Sequence, residues 1–438
     1  MAAHDPSNSD TVVIPAAAHL SYEHVKLENE RLWPATWQMA CRREEFSQVG
    51  DYLTYDIADE SIVIVLVAPD ELKAYYNVCL HRGRRLTDGC GHTAGFYCRF
   101  HGWKWNLDGQ NTYCGNQGDW DPPLPPESVR MQQVRVDTWG GFVFICMDPD
   151  AQPLCDYLAP VAKHLDGFEL DRMRYRWRQR ATVPCNWKTA LEAFIESYHV
   201  IATHPQLTKF AQFDSWCRNE GLHSWHGYNM RAGGTSVGLP GDDPRTGAAR
   251  WFRELYTTIN ATTTEVFVNA AERAASELPK DATGDDVMAF IMRTAQQEYE
   301  ARGVRWPAIT PQQFADAGVD WHVFPNLVIL PGLAQALCYR ARPFGSDPDK
   351  CIFEVFVIEF FKPSEEPDTQ WVDAKDLGKE SWPLVLTQDF ANMPEVQKGM
   401  KSRGFPGARP SPSQELPVIA FHRNLAKFIG KGQPVQFT

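Results

Sequence analysis

Two short segments of this chain each combine a cysteine with a histidine. The first is Cys79-x-His81, and after 16 intervening residues the second is Cys98-x2-His101. Two thiols and two imidazoles at such short spacings, supplied by two loops, are typical of a metal site. Because both loops must reach the same metal, this feature constrains the fold of the surrounding region more than any other.

The order of the ligands separates two interpretations of this site. Structural zinc is one of them, because two cysteines and two histidines also bind zinc. Zinc fingers, however, group cysteine with cysteine and histidine with histidine, whereas each segment here begins with cysteine and ends with histidine. Gly83 and Gly102 follow closely and permit tight turns that direct backbone N–H groups at sulfur. An iron–sulfur cluster is therefore favoured over zinc.

Residues of about 46 to 150, which include both segments and Trp139-Gly140, resemble a Rieske [2Fe–2S] domain. Two imidazoles in place of two thiolates raise the reduction potential above that of an all-cysteine cluster, which suits an acceptor of electrons. The resemblance implies one [2Fe–2S] cluster held by Cys79, His81, Cys98 and His101.

A second group of potential ligands follows later in the chain. Glu192, Glu196 and His199 are spaced four and three residues apart, which predicts that they share one face of a helix over Trp187–Val200. His199 and His204 can coordinate one Fe(II) as neutral imidazoles. One carboxylate from elsewhere would complete a 2-His-1-carboxylate set with open positions for O2.

Asp389 is the best candidate for this carboxylate. Considered alone, it would be interpreted as a solvated acid near a helix N-terminus, where the helix dipole favours negative charge. The three segments in this order resemble the α subunit of the Rieske non-heme iron aromatic-ring-hydroxylating oxygenases over essentially the whole chain. The resemblance implies that the mononuclear Fe(II) is bound by His199, His204 and Asp389. It also makes Phe324-Pro325-Asn326 the start of a strand that helps to line the substrate pocket.

Glu196 departs from the pattern of the family's dioxygenases, which usually have aspartate two residues before Tyr-His. Naphthalene-type enzymes also have one more residue between Glu192 and this position. In the family, this carboxylate links a Rieske histidine of a neighbouring subunit to an iron histidine, and glutamate occurs here in relatives that attack quaternary ammonium substrates. We therefore expect Glu196 to join His101 of one subunit to His199 of the next, which weakens the case for a cis-dihydrodiol product.

Charge and composition exclude several classes of protein. The formal net charge of −12 disfavours nucleic acid as a partner. The longest apolar run, Ile62–Ala68, is far too short to cross a membrane. Residues 1–10 lack the basic and apolar regions of a secretory signal, and the 11 cysteines are an odd number. We expect a cytoplasmic protein with reduced thiols and no membrane partner.

The pattern of strand-like and helix-like segments predicts an α+β protein with three parts. Residues 1–45 form an N-terminal segment that packs on the catalytic domain. Residues 46–150 form an antiparallel β Rieske domain, in which Ser61–Ala68 and Lys73–Val78 read as a hairpin. Residues 151–438 form a larger catalytic domain of helices on an antiparallel sheet.

Two surface features carry further hypotheses. A basic cluster surrounds the cysteine–histidine loops, and it either pairs with local carboxylates or presents a positive face to an acidic redox partner. A helical insertion at about 248–303, with the loop Gly233–Asp243 before it, is expected to cover the entrance of the substrate pocket. The members of the basic cluster are Arg82, Arg84, Arg85, Arg99 and Lys104.

These features predict the terminal component of a Rieske oxygenase system, which takes electrons from NAD(P)H through a ferredoxin, a flavin reductase or both. A GxGxxG or P-loop signature is lacking, so the flavin and nicotinamide belong to another protein. Hydroxylation of an aromatic or other hydrophobic substrate by O2 is favoured over removal of an N- or O-alkyl group. A third alternative is an electron carrier or a zinc-stabilised protein without enzymatic activity. The expected assembly is a homotrimer, with or without a β subunit.

Overall fold

The computed structural model describes residues 11–211, 215–228 and 237–436. The chain forms two compact units, one of Met1–Val25 with Leu158–Thr438 and the other of Lys26–Tyr157. The first ten residues of the predicted N-terminal segment 1–45 lie outside the described residues.

The strands, in chain order, are β1 Val12–Pro15, β2 Gln38–Arg42, β3 Asp51–Ile57, β4 Glu60–Ala68, β5 Glu71–Tyr76, β6 Cys90–His92, β7 Phe96–Tyr97, β8 Lys104–Trp105, β9 Asn111–Tyr113, β10 Gln133–Trp139, β11 Phe142–Cys146, β12 Arg174–Val183, β13 Ser215–Glu220, β14 His223–Tyr228, β15 Asp320–Val323, β16 Leu327–Pro331, β17 Gln335–Phe344, β18 Asp347–Glu359, β19 Val372–Asp373, β20 Gly407–Ala408 and β21 Val435–Gln436. The α-helices are α1 Ala17–Leu20, α2 Tyr22–Leu27, α3 Leu154–Tyr157, α4 Ala159–Leu165, α5 Trp187–Glu192, α6 Val200–Thr203, α7 Pro205–Thr208, α8 Pro244–Thr258, α9 Glu265–Glu277, α10 Gly284–Ala301, α11 Pro311–Ala317, α12 Leu384–Met400 and α13 Leu416–Ile429.

The unit Lys26–Tyr157 is built on an antiparallel sheet of order β2-β11-β10-β5-β4-β3-β6. The predicted hairpin is present, because β4 pairs with β5 in antiparallel register. A small sheet of order β7-β8-β9 carries the second cysteine–histidine loop. The unit begins before the predicted start at residue 46, since β2 pairs with β11 and so belongs to the same sheet.

The hydrophobic core of this unit includes two of the predicted cluster ligands, Cys79 and Cys98. Cys79 and Cys98 are buried with Trp103, Trp105 and other apolar side chains in one cluster. Burial of these large side chains stabilises the unit and fixes the ends of both loops. The two thiols therefore lie at the edge of a packed core.

The larger unit is built on a sheet of order β13-β14-β15-β16-β17-β18-β12-β19. Neighbouring strands of this sheet run antiparallel, except that β12 and β19 are parallel to each other. Helix α5 packs against β17 and β18. The α+β fold class predicted from the sequence, with a β domain preceding a helix-on-sheet domain, is confirmed.

A buried ion cluster stabilises the centre of this sheet. Glu354 accepts hydrogen bonds from Arg340 Nε at 2.6 Å and from Arg342 Nη2 at 3.0 Å. Burial raises the pKa of Glu354, but the charges of Arg340 and Arg342 outweigh that effect and hold the pKa at about 2. Removing one partner of such a cluster leaves an uncompensated buried charge.

The predicted helical insertion consists of three helices, α8, α9 and α10, which pack on one another. Asp243 caps α8 by accepting hydrogen bonds from the backbone of Arg245 and Thr246. Within the described part of the chain, none of the helices combines the length and apolar character that crossing a lipid bilayer requires.

Candidate functional site: two metal centres

The two cysteine–histidine loops have nearly the same backbone conformation. In the first, Gly83 N donates to Cys79 O at 2.9 Å, and in the second, Gly102 N donates to Cys98 O at 2.9 Å. The two glycines have φ values of +74° and +78°, a region that favours glycine. Each cysteine is therefore held at the start of a tight turn that returns the chain toward it.

The four predicted cluster ligands converge between these loops. The Nδ1 atoms of His81 and His101 lie 3.1 Å apart, and the two imidazoles are more exposed than the thiols of Cys79 and Cys98. The thiols are near enough to interact directly. His81 is also stacked on Trp103, with ring centroids 5.1 Å apart.

Backbone amides point at both sulfur atoms. Burial raises the pKa of the Cys79 thiol, while the amides of His81 and Arg82 act in the opposite direction. For Cys98, burial is outweighed by other contacts, among them the amides of Phe100 and His101, and the pKa is lowered. Donors placed in this way stabilise thiolates and cluster sulfur, so the residues fit a [2Fe–2S] cluster with two exposed imidazoles.

The helix predicted over Trp187–Val200 is interrupted. Helix α5 ends at Glu192, and α6 begins after His199. Between the two helices, the Glu196 carboxylate accepts the backbone N–H of His199 at 3.1 Å. The prediction of one continuous helix face was therefore wrong.

Glu192 makes different contacts from the other members of that predicted face. Its Oε1 accepts hydrogen bonds from His19 Nε2 at 2.7 Å and from His422 Nε2 at 2.6 Å. Helix α1 and helix α13 are thus tied to the end of α5. Sequence reasoning gave no indication of this cluster, because its members are far apart in the chain.

The structure brings His199, His204 and Asp389 together. His204 Nε2 lies 3.1 Å from Asp389 Oδ1, and His199 Nε2 lies 3.8 Å from the same oxygen. His204 and Asp389 are buried, and His199 is partly exposed. All three donor atoms lie within 4.8 Å of one another, which is a spacing that one metal ion can bridge.

Each imidazole of this group is held by a hydrogen bond to its other nitrogen. Glu196 Oε1 accepts from His199 Nδ1 at 2.8 Å, and Gln388 Oε1 accepts from His204 Nδ1 at 2.9 Å. These contacts fix the orientation of both rings, and each Nε2 atom is directed at Asp389. Gln388 was not predicted, although its position directly before Asp389 on α12 is a signal that could have identified it.

A cavity of about 390 Å³ opens beside this group. Its lining is rich in carboxyl groups. Burial raises the pKa of Glu415 to about 7, and the nearby charges of Glu196 and Glu192 act in the same direction. The wall of the cavity therefore has an acidic character, and its carboxyl groups are those of Glu192, Glu196, Asp389 and Glu415.

Comparison with known proteins identifies the family to which this chain belongs. Residues 170–431, more than half of the chain, match the model for the ring-hydroxylating α subunit (catalytic domain). Residues 36–118 match the Rieske [2Fe-2S] domain. The chain belongs to the Rieske ring-hydroxylating oxygenase α subunits. One [2Fe–2S] cluster and one mononuclear iron are the cofactors of this architecture, and the donor sets described above fit both.

Two relatives illustrate the similarity in sequence. The carnitine monooxygenase oxygenase subunit of Escherichia coli (strain K12) is 31% identical over 220 residues, which are 49% of this chain and 56% of that protein. The glycine betaine monooxygenase oxygenase subunit of Chromohalobacter salexigens is 30% identical over 182 residues, 41% of this chain and 40% of that protein. The matched segments thus span about half the length of these relatives.

Two solved structures illustrate the similarity in fold. A quaternary ammonium Rieske monooxygenase in complex with L-carnitine has a TM-score of 0.65 at 19% identity, with 96% of each chain covered. Naphthalene 1,2-dioxygenase from Rhodococcus sp. bound to indole has a TM-score of 0.61 at 18% identity, with 95% of this chain and 94% of that chain covered. Both have the fold of this chain.

Proposed function

We propose that the chain is the terminal oxygenase of a Rieske system that removes an N-alkyl group from an alkylammonium compound. The observation that carries the oxygenase activity is the convergence of His199, His204 and Asp389 on one point. The relatives that act on carnitine and glycine betaine support the ammonium substrate. The sequence alone favoured hydroxylation of an aromatic or other hydrophobic substrate. The proposal instead adopts its alternative, the removal of an N-alkyl group.

The three-residue donor set accounts for reaction with O2. Iron bound there supplies the activation of O2, and the Rieske cluster supplies electrons one at a time. The residues of the chain hold the site in the required state. Glu196 and Gln388 accept hydrogen bonds from Nδ1 of His199 and His204, which fixes the orientation of both rings so that each Nε2 faces the metal position.

Glu196 is our candidate for the link between the two metal centres. One of its oxygens accepts from His199 Nδ1 and the other from the His199 backbone. We propose that the carboxylate also meets the partner subunit's His101, whose Nε2 is left free when Nδ1 binds the cluster. The acidic cavity around Glu196 and the basic cluster around the Rieske loops are complementary in charge, which favours such a contact.

This link requires an oligomer, and a ring of head-to-tail subunits provides it for every copy. We therefore propose a homotrimer, with or without a β subunit. Analytical ultracentrifugation of the purified chain tests this assembly. A monomer at working concentrations would contradict it.

The basic cluster bears on the electron donor. Arg85 pairs with Asp56 at 3.0 Å and Asp88 at 2.9 Å, so its charge is largely met within the loop region. Arg82 and Lys104 lie against aromatic rings. We propose that the exposed Arg84 and Arg99 attract an acidic ferredoxin or flavin reductase. Reduction of the cluster by the donor should slow at high ionic strength, and an absence of salt dependence would overturn this role.

The insertion is proposed to cover the entrance of the substrate pocket. Phe210 follows His204, the second proposed iron ligand, by six residues. Its ring centroid lies 6.1 Å from that of Trp251 on α8. Gly238 N donates to Phe210 O at 2.9 Å in the same region. Part of the predicted loop Gly233–Asp243 lies outside the described residues. Hydrogen exchange in α8 should slow when substrate is bound, and unchanged exchange would exclude this role.

Product analysis tests the reaction class. Purified chain, a compatible reductase and NADH are incubated with carnitine, glycine betaine or choline, with and without O2. Hydroxylation of a carbon next to nitrogen gives an unstable product that breaks down to an aldehyde and an amine, so aldehyde should appear only with O2. Formation of a diol from an aromatic compound, with no aldehyde from any amine, would restore ring hydroxylation.

A further inference from the structure

Asp320 is a buried carboxyl group without an obvious structural role. It lies on β15 in the interior of the large sheet and is only 6% exposed. Its Oδ1 atom has no hydrogen-bond partner among the described residues. A buried carboxyl oxygen left unpaired is costly, and native structures rarely retain one without a functional reason.

The strand register places Asp320 on one face of the sheet with other unusual side chains. His226 of β14 is directly opposite Asp320, so both side chains project from the same face. Tyr228, two residues further along β14, shares that face. His226 is also buried, and its Nδ1 atom likewise has no partner among the described residues.

Tyr339 extends this group across the sheet. Trp321 pairs with Ile329, which in turn pairs with Cys338, so these three share one face, and Asp320 and Tyr339 share the opposite one. The ring of Tyr339 lies 4.3 Å, between centroids, from that of Phe194. Phe194 lies between Glu192 and Glu196, shortly before His199. The face of the sheet that carries Asp320 and Tyr339 is therefore the face covered by this part of the chain.

Asp320 and Tyr339 lie in a dry region with carboxyl groups nearby. Burial is the first cause that raises the pKa of Asp320 well above its usual range, and the negative charge of Glu196 is the second. Burial likewise raises the pKa of Tyr339, with added contributions from Asp389 and Asp320. A cation beside Asp320 would relieve this repulsion and favour the ionised carboxylate.

We infer that Asp320 is the anionic anchor for the ammonium group of the substrate, with Tyr228 and Tyr339 on the same face of the sheet. This inference rests on the proposed function and names the residue that selects for a cation. A carboxylate in a dry site attracts an ammonium group that cannot donate hydrogen bonds, and aromatic faces add attraction for quaternary ammonium groups. The Oδ1 atom of Asp320, which has no partner among the described residues, is then the atom that meets the ammonium group.

The test compares a cation with its neutral isostere. Choline and 3,3-dimethyl-1-butanol have the same shape, but the second has carbon in place of the charged nitrogen. Calorimetric titration of the holoprotein should give tighter binding of choline than of the alcohol. Asp320→Asn should weaken choline binding by about 10- to 100-fold and leave binding of the alcohol nearly unchanged.

Two further variants make the result specific. Asp320→Glu keeps the charge and should retain part of the preference for choline. Asp281→Asn removes an exposed aspartate of the same unit and should change neither affinity. Iron content and melting temperature of each variant show whether its fold is intact. Should Asp320→Asn fail to fold, the preference of the native protein and of Asp320→Glu for choline remains the test.

The outcomes separate this inference from the proposed function. A native protein that binds the alcohol as well as choline, or binds no choline, overturns the inference. So does a folded Asp320→Asn variant that keeps the preference. Aldehyde formation that does not depend on Asp320 leaves the proposed function standing without the inference. Charge-selective binding that depends on Asp320, without aldehyde formation, leaves the inference standing without the proposed reaction.

Discussion

The two metal-binding regions of this protein are built in different ways. The loops that carry Cys79, His81, Cys98 and His101 obtain their shape from local backbone hydrogen bonds and two glycines. The group of His199, His204 and Asp389 is assembled by packing α12 beside the segment that follows α5, so its parts are distant in sequence. The first region leaves its imidazoles accessible, while the second buries most of its donor atoms. Accessible imidazoles suit electron transfer, and a buried open site suits controlled reaction with O2.

This contrast predicts that the second site can be removed without damage to the first. Asp389→Asn should reduce turnover to background and lower iron from about three to about two atoms per chain, because only the mononuclear ion is lost. The EPR signal of the reduced cluster should be unchanged. Glu395→Gln, an exposed position on the same helix, is the matched control. Loss of labile sulfide in Asp389→Asn would show that the two centres are not independent.

A substitution at Glu196 should separate the sites functionally while both metals remain. In Glu196→Gln, the proposed electron link is weakened, and turnover should fall by about 10- to 100-fold. Iron and sulfide contents should equal those of the native protein. Stopped-flow measurement of cluster oxidation in the presence of substrate and O2 checks the step directly. A normal rate of cluster oxidation would exclude Glu196 from the electron route.

Iron binding at the buried site should also depend on Gln388, which accepts a hydrogen bond from His204. Gln388→Leu removes the acceptor for His204 Nδ1, so the imidazole loses its fixed orientation. We expect iron affinity to fall by about tenfold, with the cluster untouched. Titration of the apo mononuclear site with Fe(II) measures this change. Equal affinity in the variant would mean that packing alone orients His204.

The smallest effect on activity is expected from the sheet that supports the buried site. Glu354→Gln should cost about 3–5 kcal/mol of unfolding free energy, because Arg340 and Arg342 lose their buried partner. The pKa of Glu354 is about 2 in the folded chain, below the ordinary value of 4.5. Its contribution to stability is therefore complete above pH 4.5 and is lost as the pH falls toward 2.

Denaturant unfolding of Glu354→Gln at several pH values checks this contribution. Asp373→Asn, which removes an exposed partner of Arg180, should cost less than about 1 kcal/mol and serves as the control. A variant of Glu354 as stable as the native protein at pH 7 would contradict the assigned role. The substrate affinity of both variants should be unchanged.

The same contrast explains how much could be predicted from the sequence. The cysteine–histidine loops were identified because every ligand lies within a short segment whose spacing is itself informative. Asp389 was predicted as a ligand only through resemblance to a family, since nothing local distinguishes it from a solvated acid. The break after Glu192 was missed because the residues that follow it, including Glu196 and His199, fit the spacing of one continuous helix. The proposed role of Asp320 could not be predicted from the sequence, because it depends on strand register and burial, which hydrophobic periodicity does not report.

The most direct test of the account is metal and sulfide analysis of the purified native chain, combined with EPR of the dithionite-reduced protein. We expect about three iron atoms and two labile sulfides per chain, with the anisotropic signal of a cluster that has two histidine ligands. One zinc ion per chain, without sulfide or an EPR signal, would contradict it.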